Sequence, residues 1–281
     1  MLANFFLDWF YLFMLSNISA NVNPVFSAFV FNQRNAKAKN VAMVDEFSRK
    51  TIQLDVDRKP DITHGEAVEA FIKSGLPDVT VDRFDTNVNE DTVRDALKTI
   101  LSRRGKYDAV NISKSSDITY KDLSRLVGCK ITPKNLKEKK ELIKDKFFKS
   151  NHPEAGYLKE INTYLEELVK SGTRVYIASG NQAKKTLNLY TLADGVEVVG
   201  ALKNNGKRAG FSTINSLVNR HEKGVFKVKK IKDEKGEKGF DFTQDGKVDI
   251  YDKDTTSRFK FPLFWLTGTS FAAPQALIKD L

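Results

Sequence analysis

Short apolar runs rich in β-branched residues alternate with amphipathic stretches along the middle of this sequence, and this alternation most constrains the fold. The runs span residues 40–45, 79–84, 107–113, 173–179 and 196–202. Each has the length and composition of a buried strand. Strands separated by helical stretches predict an α/β layered domain with a parallel sheet.

The stretches between these runs have the spacing of helices with one apolar face. Residues 90–105 carry Val93, Leu97, Ile100 and Leu101 on one face, with Gly105 as the predicted C-cap. Residues 157–172 repeat this pattern and end at Gly172, and residues 135–149 form a third, highly charged helix with a narrow apolar stripe. The stripes of these two helices are Leu158, Ile161, Leu165 and Leu168, and Leu136, Ile143 and Phe147.

The composition fits a chain that builds one large core. Of 281 residues, 41% are apolar and 11% aromatic, which argues against disorder. The single cysteine, Cys129, excludes an intramolecular disulfide. The net charge of +10 would attract polyanions, but lysines interleaved with Asp and Glu favour a solvated surface instead. The basic stretch 203–235 has few aromatic residues, so we do not expect nucleic acid as a partner.

The N-terminal segment, residues 1–35, is treated separately because its apolar run is interrupted by Asp8. It is short for a membrane span and lacks the positive charge that usually opens a secretory signal, although Ala20 could mark a cleavage site. A signal, an anchor and a packed helix all remain open. A signal or anchor in residues 1–20 implies secretion or membrane association; otherwise the protein is expected in the cytoplasm.

Polar residues that follow the predicted strands are candidates for chemistry, because parallel sheets place ligands at the carboxyl ends of their strands. Asp45 ends the first strand and could orient a histidine or cap a helix. His64 lies in the first turn of a helix that Thr63 and Glu66 would start as a capping box; it could be a base or a structural histidine. Asn181 could donate its amide N–H to a ligand oxygen or occupy a turn.

Ser270 lies among small residues in the stretch "LTGTSFAAPQ". These neighbours allow close backbone approach, and the following residues continue as a helix. The hydroxyl and the amide of Ser270 would then lie at the positive end of that helix. Pro274 is predicted in about the first turn, where its missing N–H costs little. At this point Ser270 can be interpreted either as a nucleophile or as a simple helix N-cap.

Taken in order along the chain, these pieces resemble the subtilisin-like serine proteases, the subtilases. "GTSFAAP" is similar to their signature Gly-Thr-Ser-x-Ala-x-Pro, and "VAMVDEF", "THGEAV" and "TRVYIASGN" follow the order of their aspartate, histidine and asparagine segments. "YDAVNISKSS" is similar to the strand along the substrate cleft, and "VEVVGAL" with "RAGFST" to a later sheet segment. The resemblance runs from about Val41 to Pro274 and implies a three-layer α/β/α fold with a mainly parallel central sheet over residues 36–281.

The resemblance implies a serine endopeptidase that works through an acyl-enzyme, without an organic cofactor. Ser270 would be the nucleophile, His64 the base and then the acid, Asp45 the group that orients His64, and Asn181 an oxyanion donor. A peptide or protein substrate would pair as an added strand. The residues expected to bind it are Asn111, Ser113, Lys114, Ser115 and Gly180. A catalytically silent or truncated subtilase fold that serves as a binding module is the alternative, and the oligomeric state stays open.

The sequence also departs from the family pattern. Glu66 and Ala67 replace the last two residues of the usual His-Gly-Thr-His motif, and Lys114 to Ser116 stand where glycines usually admit substrate. No room precedes Asp45 for a folded pro-segment, and one helix follows Ser270. A compact or truncated subtilase, or a fragment, is therefore expected.

A charged insertion at about residues 220–260 contains the loop "DFTQDGKVDIYD", which resembles an EF-hand calcium loop. Gly246 would permit the sharp turn, while Thr at position three and Asp at position twelve weaken the match. A solvated acidic turn would look similar. The oxygen ligands expected for Ca²⁺ are Asp241, Thr243, Asp245, Asp249 and Asp252.

Overall fold

A computed structural model of the protein describes residues 38–48, 50–52, 62–86, 90–251 and 263–281. Within these residues, Lys39–Leu281 form one compact unit. Its strands, in chain order, are β1 (Asn40–Asp45), β2 (Lys50–Ile52), β3 (Ile62–Thr63), β4 (Thr80–Asp85), β5 (Ala109–Ile112), β6 (Asp117–Thr119), β7 (Arg174–Ala178), β8 (Thr186–Asn188), β9 (Glu197–Leu202), β10 (Arg220–Lys223), β11 (Val225–Lys232), β12 (Lys238–Asp241), β13 (Ile250–Tyr251) and β14 (Leu263–Thr267).

The helices of the described residues lie between these strands. They are α1 (His64–Gly75), α2 (Glu90–Ser102), α3 (Tyr120–Val127), α4 (Leu136–Phe148), α5 (Ala155–Lys170) and α6 (Thr269–Asp280), with a short 3-10 helix at Leu189–Leu192. Thr63 and Glu66 form the predicted capping box at the start of α1. The predicted apolar stripe of α4, formed by Leu136, Ile143 and Phe147, is buried as expected.

Six strands build the central sheet in the order β10-β9-β7-β5-β1-β4, and every pairing between them is parallel. The five predicted strands all belong to this sheet, and the predicted α/β layered fold is confirmed. β10 adds an edge strand from residues that the sequence assigned to the charged insertion.

Two apolar clusters cover the two faces of the sheet, as alternation along a strand requires. In β1, Ala42 and Val44 face α2, α4 and α5, whereas Val41 and Met43 face α1 and α6. All four side chains are fully buried. The helices therefore form layers above and below the sheet, which gives the three-layer arrangement that the sequence predicts.

The chain between β10 and α6 forms a second, antiparallel sheet in the order β13-β12-β11-β14. Phe226 of β11, Phe240 of β12 and Phe242, which follows β12, pack in the cluster that contains Phe71 of α1. β14 leads directly into α6, so this sheet supports the chain immediately before Ser270. The sheet thereby links the charged region to the position of the predicted nucleophile.

None of the helices in the described part of the chain has the length and apolar character needed to cross a bilayer. The N-terminal segment, residues 1–35, lies outside the described residues. Its roles as signal, anchor or packed helix stay predictions.

Candidate functional site

The side chains of Asp45 and His64 meet at the carboxyl end of β1. Asp45 is fully buried, and its Oδ1 lies 2.7 Å from Nδ1 of His64. The same oxygen accepts the backbone N–H of Glu46 at 2.7 Å. Because one carboxylate oxygen is held by the backbone and faces the ring, Asp45 can fix both the orientation and the tautomer of His64.

The start of α1 sets the position of the imidazole. The capping box holds the first turn, with Glu66 N–H donating to Thr63 Oγ1 at 3.1 Å and Thr63 N–H donating to Glu66 Oε2 at 2.8 Å. Gly65 lets the chain after Asp45 cross this turn, because a Cβ at position 65 would come within 2.6 Å of the Phe47 ring. The residues that replace the usual family motif therefore preserve the helix start.

Two opposing effects act on the protonation of His64. Burial of the ring alone would lower its pKa, but the charge and hydrogen bond of Asp45 outweigh burial, so the pKa of His64 is raised above its ordinary value of 6.5. Lys114 opposes this effect and Glu46 adds to it. The ring accepts a proton only in its neutral form, so the raised pKa moves the range in which His64 can act as a base to higher pH.

The hydroxyl of Ser270 completes the chain of hydrogen bonds. Its Oγ lies 2.9 Å from Nε2 of His64, on the ring nitrogen opposite the one that faces Asp45. Ser270 is the second residue of α6, and its backbone N–H has no acceptor among the described residues. An amide in the first turn of a helix without an acceptor can donate to a ligand, and the helix N-terminus favours negative charge there.

Pro274 lies at the start of the second turn of α6, close to its predicted position in about the first turn. A residue at this position normally donates its N–H to the carbonyl of the residue four positions earlier, which is Ser270. Proline has no N–H, and the Ser270 carbonyl instead accepts the hydroxyl of Ser113 at 3.1 Å. The position of the proline thus joins the Ser270 backbone to the segment that follows β5.

The side-chain amide of Asn181 is oriented by its neighbour in the Gly-Thr-Ser motif. Its Oδ1 accepts the backbone N–H of Thr269 at 2.9 Å and lies 3.1 Å from the hydroxyl of Thr269. The oxygen is therefore occupied, and the Nδ2 group is left to face the space beside Ser270 Oγ. A Cβ at Gly268 would lie 2.8 Å from Ser270 Oγ and 3.7 Å from Asn181 Nδ2, so both groups border the space that this glycine leaves open.

The residues predicted to bind substrate differ in their exposure. Ser113 and Lys114 are partly exposed and Ser115 is exposed, along the segment after β5. Gly180 is buried beside Asn181 with φ of +105°, a conformation that favours glycine. Lys114 extends toward Glu46, with 3.8 Å between the charged groups.

Asn111 requires a correction, because its side chain is fully buried and does not line the surface. The alternation of β5 turns this side chain inward. Its Nδ2 donates to Ser113 Oγ at 3.0 Å, and that hydroxyl in turn donates to the Ser270 carbonyl. Asn111 therefore supports the Ser270 backbone from within the central sheet, through the Ser113 hydroxyl.

Sequence reasoning missed the roles of Thr269 and Asn188. The sequence indicated Thr269 only as the middle residue of the Gly-Thr-Ser motif, without a role of its own. Asn188 is buried and donates its amide to the carbonyls of Ala178 and Lys114, at 2.9 and 3.3 Å. It thereby links the two segments on either side of the site, a role that no local pattern indicates.

The loop predicted to bind calcium makes the predicted sharp turn, with φ of +84° at Gly246. The Asp241 carboxylate accepts the backbone N–H groups of Gln244 and Gly246, and Asp249 accepts those of Phe242 and Thr243. Within the described residues, no group of three or more His, Cys, Asp or Glu side chains has an arrangement that could hold a metal ion. Asp252 lies outside the described residues, and calcium binding stays a prediction.

No protein-family model matches the sequence, and no curated protein matches it. Among solved structures, a lanthipeptide protease has a TM-score of 0.50 and 17% identity, over 90% of this chain and 76% of that chain. The prenylagaramide maturation protease PagA has a TM-score of 0.49 and 14% identity, over 85% of this chain and 72% of that chain. A cold-adapted subtilisin-like serine proteinase has a TM-score of 0.45 and 14% identity, over 85% of this chain and 74% of that chain. The match at a TM-score of 0.50, together with the six-stranded parallel sheet between two helix layers, shows that the chain has a subtilisin-like α/β/α fold.

Proposed function

We propose that this protein is a serine endopeptidase that hydrolyses peptide bonds through an acyl-enzyme. The hydrogen-bond chain from Asp45 Oδ1 to His64 Nδ1 at 2.7 Å, and from His64 Nε2 to Ser270 Oγ at 2.9 Å, carries the proposal. Each member has the partner that its role in acyl transfer requires. The peptidase region spans residues 36–281.

In the first half of the reaction, Ser270 Oγ attacks the carbonyl carbon of the scissile peptide bond while His64 Nε2 takes the hydroxyl proton. The carbonyl oxygen becomes negatively charged and accepts hydrogen bonds from the Ser270 backbone N–H and from Asn181 Nδ2. The protonated ring then gives its proton to the leaving nitrogen, and the C–N bond breaks. Asp45 stabilises the charged ring throughout this exchange.

In the second half, a water molecule replaces the leaving amine. His64 takes a proton from the water, the hydroxide oxygen bonds to the acyl carbon, and the same donors stabilise the second oxyanion. The bond to Ser270 Oγ then breaks as His64 returns the proton to the serine. The product carboxylic acid leaves, and the side chains regain their starting protonation states.

Hydrolysis of an unfolded protein tests this proposal. We expect casein to be cleaved by the protein and left intact by Ser270→Ala, with product peptides identified by mass spectrometry. Ser124→Ala is the matched control, since it removes a partly buried hydroxyl that lies in α3. Casein left intact by the folded protein would contradict the endopeptidase proposal and favour a silent fold that only binds its partner.

A further inference from the structure

Asp117 is an acidic side chain beside Gly180, at the first residue of β6. A Cβ at Gly180 would lie 3.7 Å from Asp117 Oδ1 and 3.0 Å from Thr213 Oγ1. Two oxygen atoms therefore flank the space that the missing side chain leaves. The positive φ of Gly180, +105°, also disfavours any residue that would fill this space.

The position of this space relative to the reacting groups follows from the sheet. β5 and β7 are neighbours with Ile112 opposite Ile177, so the segments that leave them, 113–117 and 178–181, run side by side. Asn181, at the end of one segment, faces the oxyanion. If a substrate strand lies along segment 113–117, its side chain on the acyl side of the scissile bond extends into the gap between that segment and segment 178–181. Asp117 and Gly180 lie on opposite sides of that gap.

Three hydrogen bonds of the Asn188 side chain, two of them buried, hold the walls of the gap in place. Asn188 donates to the Ala178 carbonyl and to the Lys114 carbonyl, and its Oδ1 accepts the Ser116 N–H at 3.3 Å. Asn188 is only 1% exposed. Because the buried amide of Asn188 joins both walls of the gap, the gap has a fixed shape before substrate binds. A fixed shape favours selection of the substrate side chain by shape and charge.

Asp117 has no cation to neutralise it within the described residues. No Lys, Arg or His nitrogen of that part of the chain lies within 4.0 Å of its carboxylate, and its side-chain partner is Ser115 Oγ at 3.4 Å. Partial desolvation by the surrounding atoms raises the pKa of Asp117, and the Ser115 hydroxyl opposes this only in part. The Thr213 hydroxyl beside it is buried and has no hydrogen-bond partner within the described residues, whereas Asp117 itself is exposed. The Thr213 hydroxyl therefore lacks the partner that a buried oxygen needs, and a cation can reach the Asp117 carboxylate from solvent.

We propose that Asp117, with Thr213, selects substrates that carry Lys or Arg on the acyl side of the scissile bond. An ammonium or guanidinium group would donate to both oxygens and pair with the carboxylate, while its aliphatic part would pass over Gly180. This inference rests on the proposed function, since it assigns the specificity of the same site. An acidic side chain would face Asp117 with like charge and is disfavoured.

Peptide p-nitroanilides that differ only in the residue before the scissile bond provide the test. We expect kcat/KM to be higher for Arg and Lys than for Leu, and lowest for Glu. Asp117→Asn should lower kcat/KM for the basic substrates by about 10- to 100-fold, the loss of one charge-assisted hydrogen bond, and change the Leu substrate far less. Asp145→Asn, an exposed carboxylate on α4, is the matched control and should leave the order unchanged.

Asp117→Lys keeps the test decisive if the asparagine variant does not fold, because it should favour the Glu substrate over Arg. A preference for Leu or Glu in the unmodified protein, or an Arg preference that Asp117→Asn leaves intact, would overturn the inference. A small fluorophosphonate, which needs no basic side chain, is run in parallel. Its reaction with Ser270 would show that only the specificity inference has failed, whereas no reaction and no hydrolysis would show that the proposed function has failed.

Discussion

Removal of the Ser113 hydroxyl tests how the Ser270 backbone is held. In Ser113→Ala, the Ser270 carbonyl loses its partner at 3.1 Å, and Asn111 Nδ2 loses its acceptor at 3.0 Å. A buried polar group without a partner costs about 1–3 kcal/mol. Because Ser113 is only partly buried, water can reach this position and the lower value applies to each group. We therefore expect the free energy of unfolding to fall by about 2 kcal/mol.

Ser113→Ala should lower the free energy of unfolding by less when residue 274 has an N–H that can donate a hydrogen bond. In Pro274→Ala the new N–H lies four residues after Ser270 and can take over its carbonyl. One of the two groups orphaned by Ser113→Ala is then satisfied, and the cost of Ser113→Ala should drop by about 1 kcal/mol. A double-mutant cycle isolates this difference, whatever Pro274→Ala alone does to stability.

Urea unfolding followed by circular dichroism measures the cycle, with Ser270→Ala in all four proteins so that self-cleavage cannot affect the result. Independent sites add to within about 0.3–0.5 kcal/mol. A cost of Ser113→Ala that is equal in the two backgrounds, within this error, would refute the reasoning. The Ser270 carbonyl would then not depend on Ser113 for its hydrogen bond.

Three further predictions concern the imidazole of His64, the start of α1 and the acidic loop at residues 241–252. Since the pKa of His64 is raised, turnover should rise with pH through a midpoint above about 6.5. Asp45→Asn should lower that midpoint and reduce kcat by about 10⁴-fold, and a pH–rate profile with an unmoved midpoint would contradict this. Gly65→Ala should lower the free energy of unfolding by about 1–3 kcal/mol, because its Cβ would meet the Phe47 ring at 2.6 Å; an unchanged melting temperature would argue against this contact. If the acidic loop binds calcium, Ca²⁺ should raise the melting temperature, and Asp249→Asn should abolish the increase; equal melting with Ca²⁺ and with a chelator would reject the site.

The sequence predicted the parts of the fold that depend on local pattern. The five apolar runs became neighbouring parallel strands because continuous burial and β-branched composition mark such strands directly. The capping box at Thr63 was equally predictable, since it depends on two residues three positions apart. Glu66, a departure from the family motif, is used in this cap.

Contacts between distant segments could not be predicted in this way. The strand pattern identified Asn111 as polar but not which way its side chain points, and it was wrongly expected to bind substrate. Pro274 was expected in about the first turn, and α6, which begins at Thr269, places it at the start of the second; that Ser113 compensates for its missing N–H was not predictable. Ser113 and Ser270 lie 157 residues apart in the sequence, so only the folded chain brings them together.

Covalent labelling with a fluorophosphonate tests the central claim, an activated serine, most directly. We expect the folded protein to form an adduct that peptide mass spectrometry locates at Ser270. The adduct should be absent in Ser270→Ala and form far more slowly in His64→Ala, which lacks the base 2.9 Å from the hydroxyl. No adduct on a protein that circular dichroism shows to be folded, or equal labelling of His64→Ala, would contradict the account.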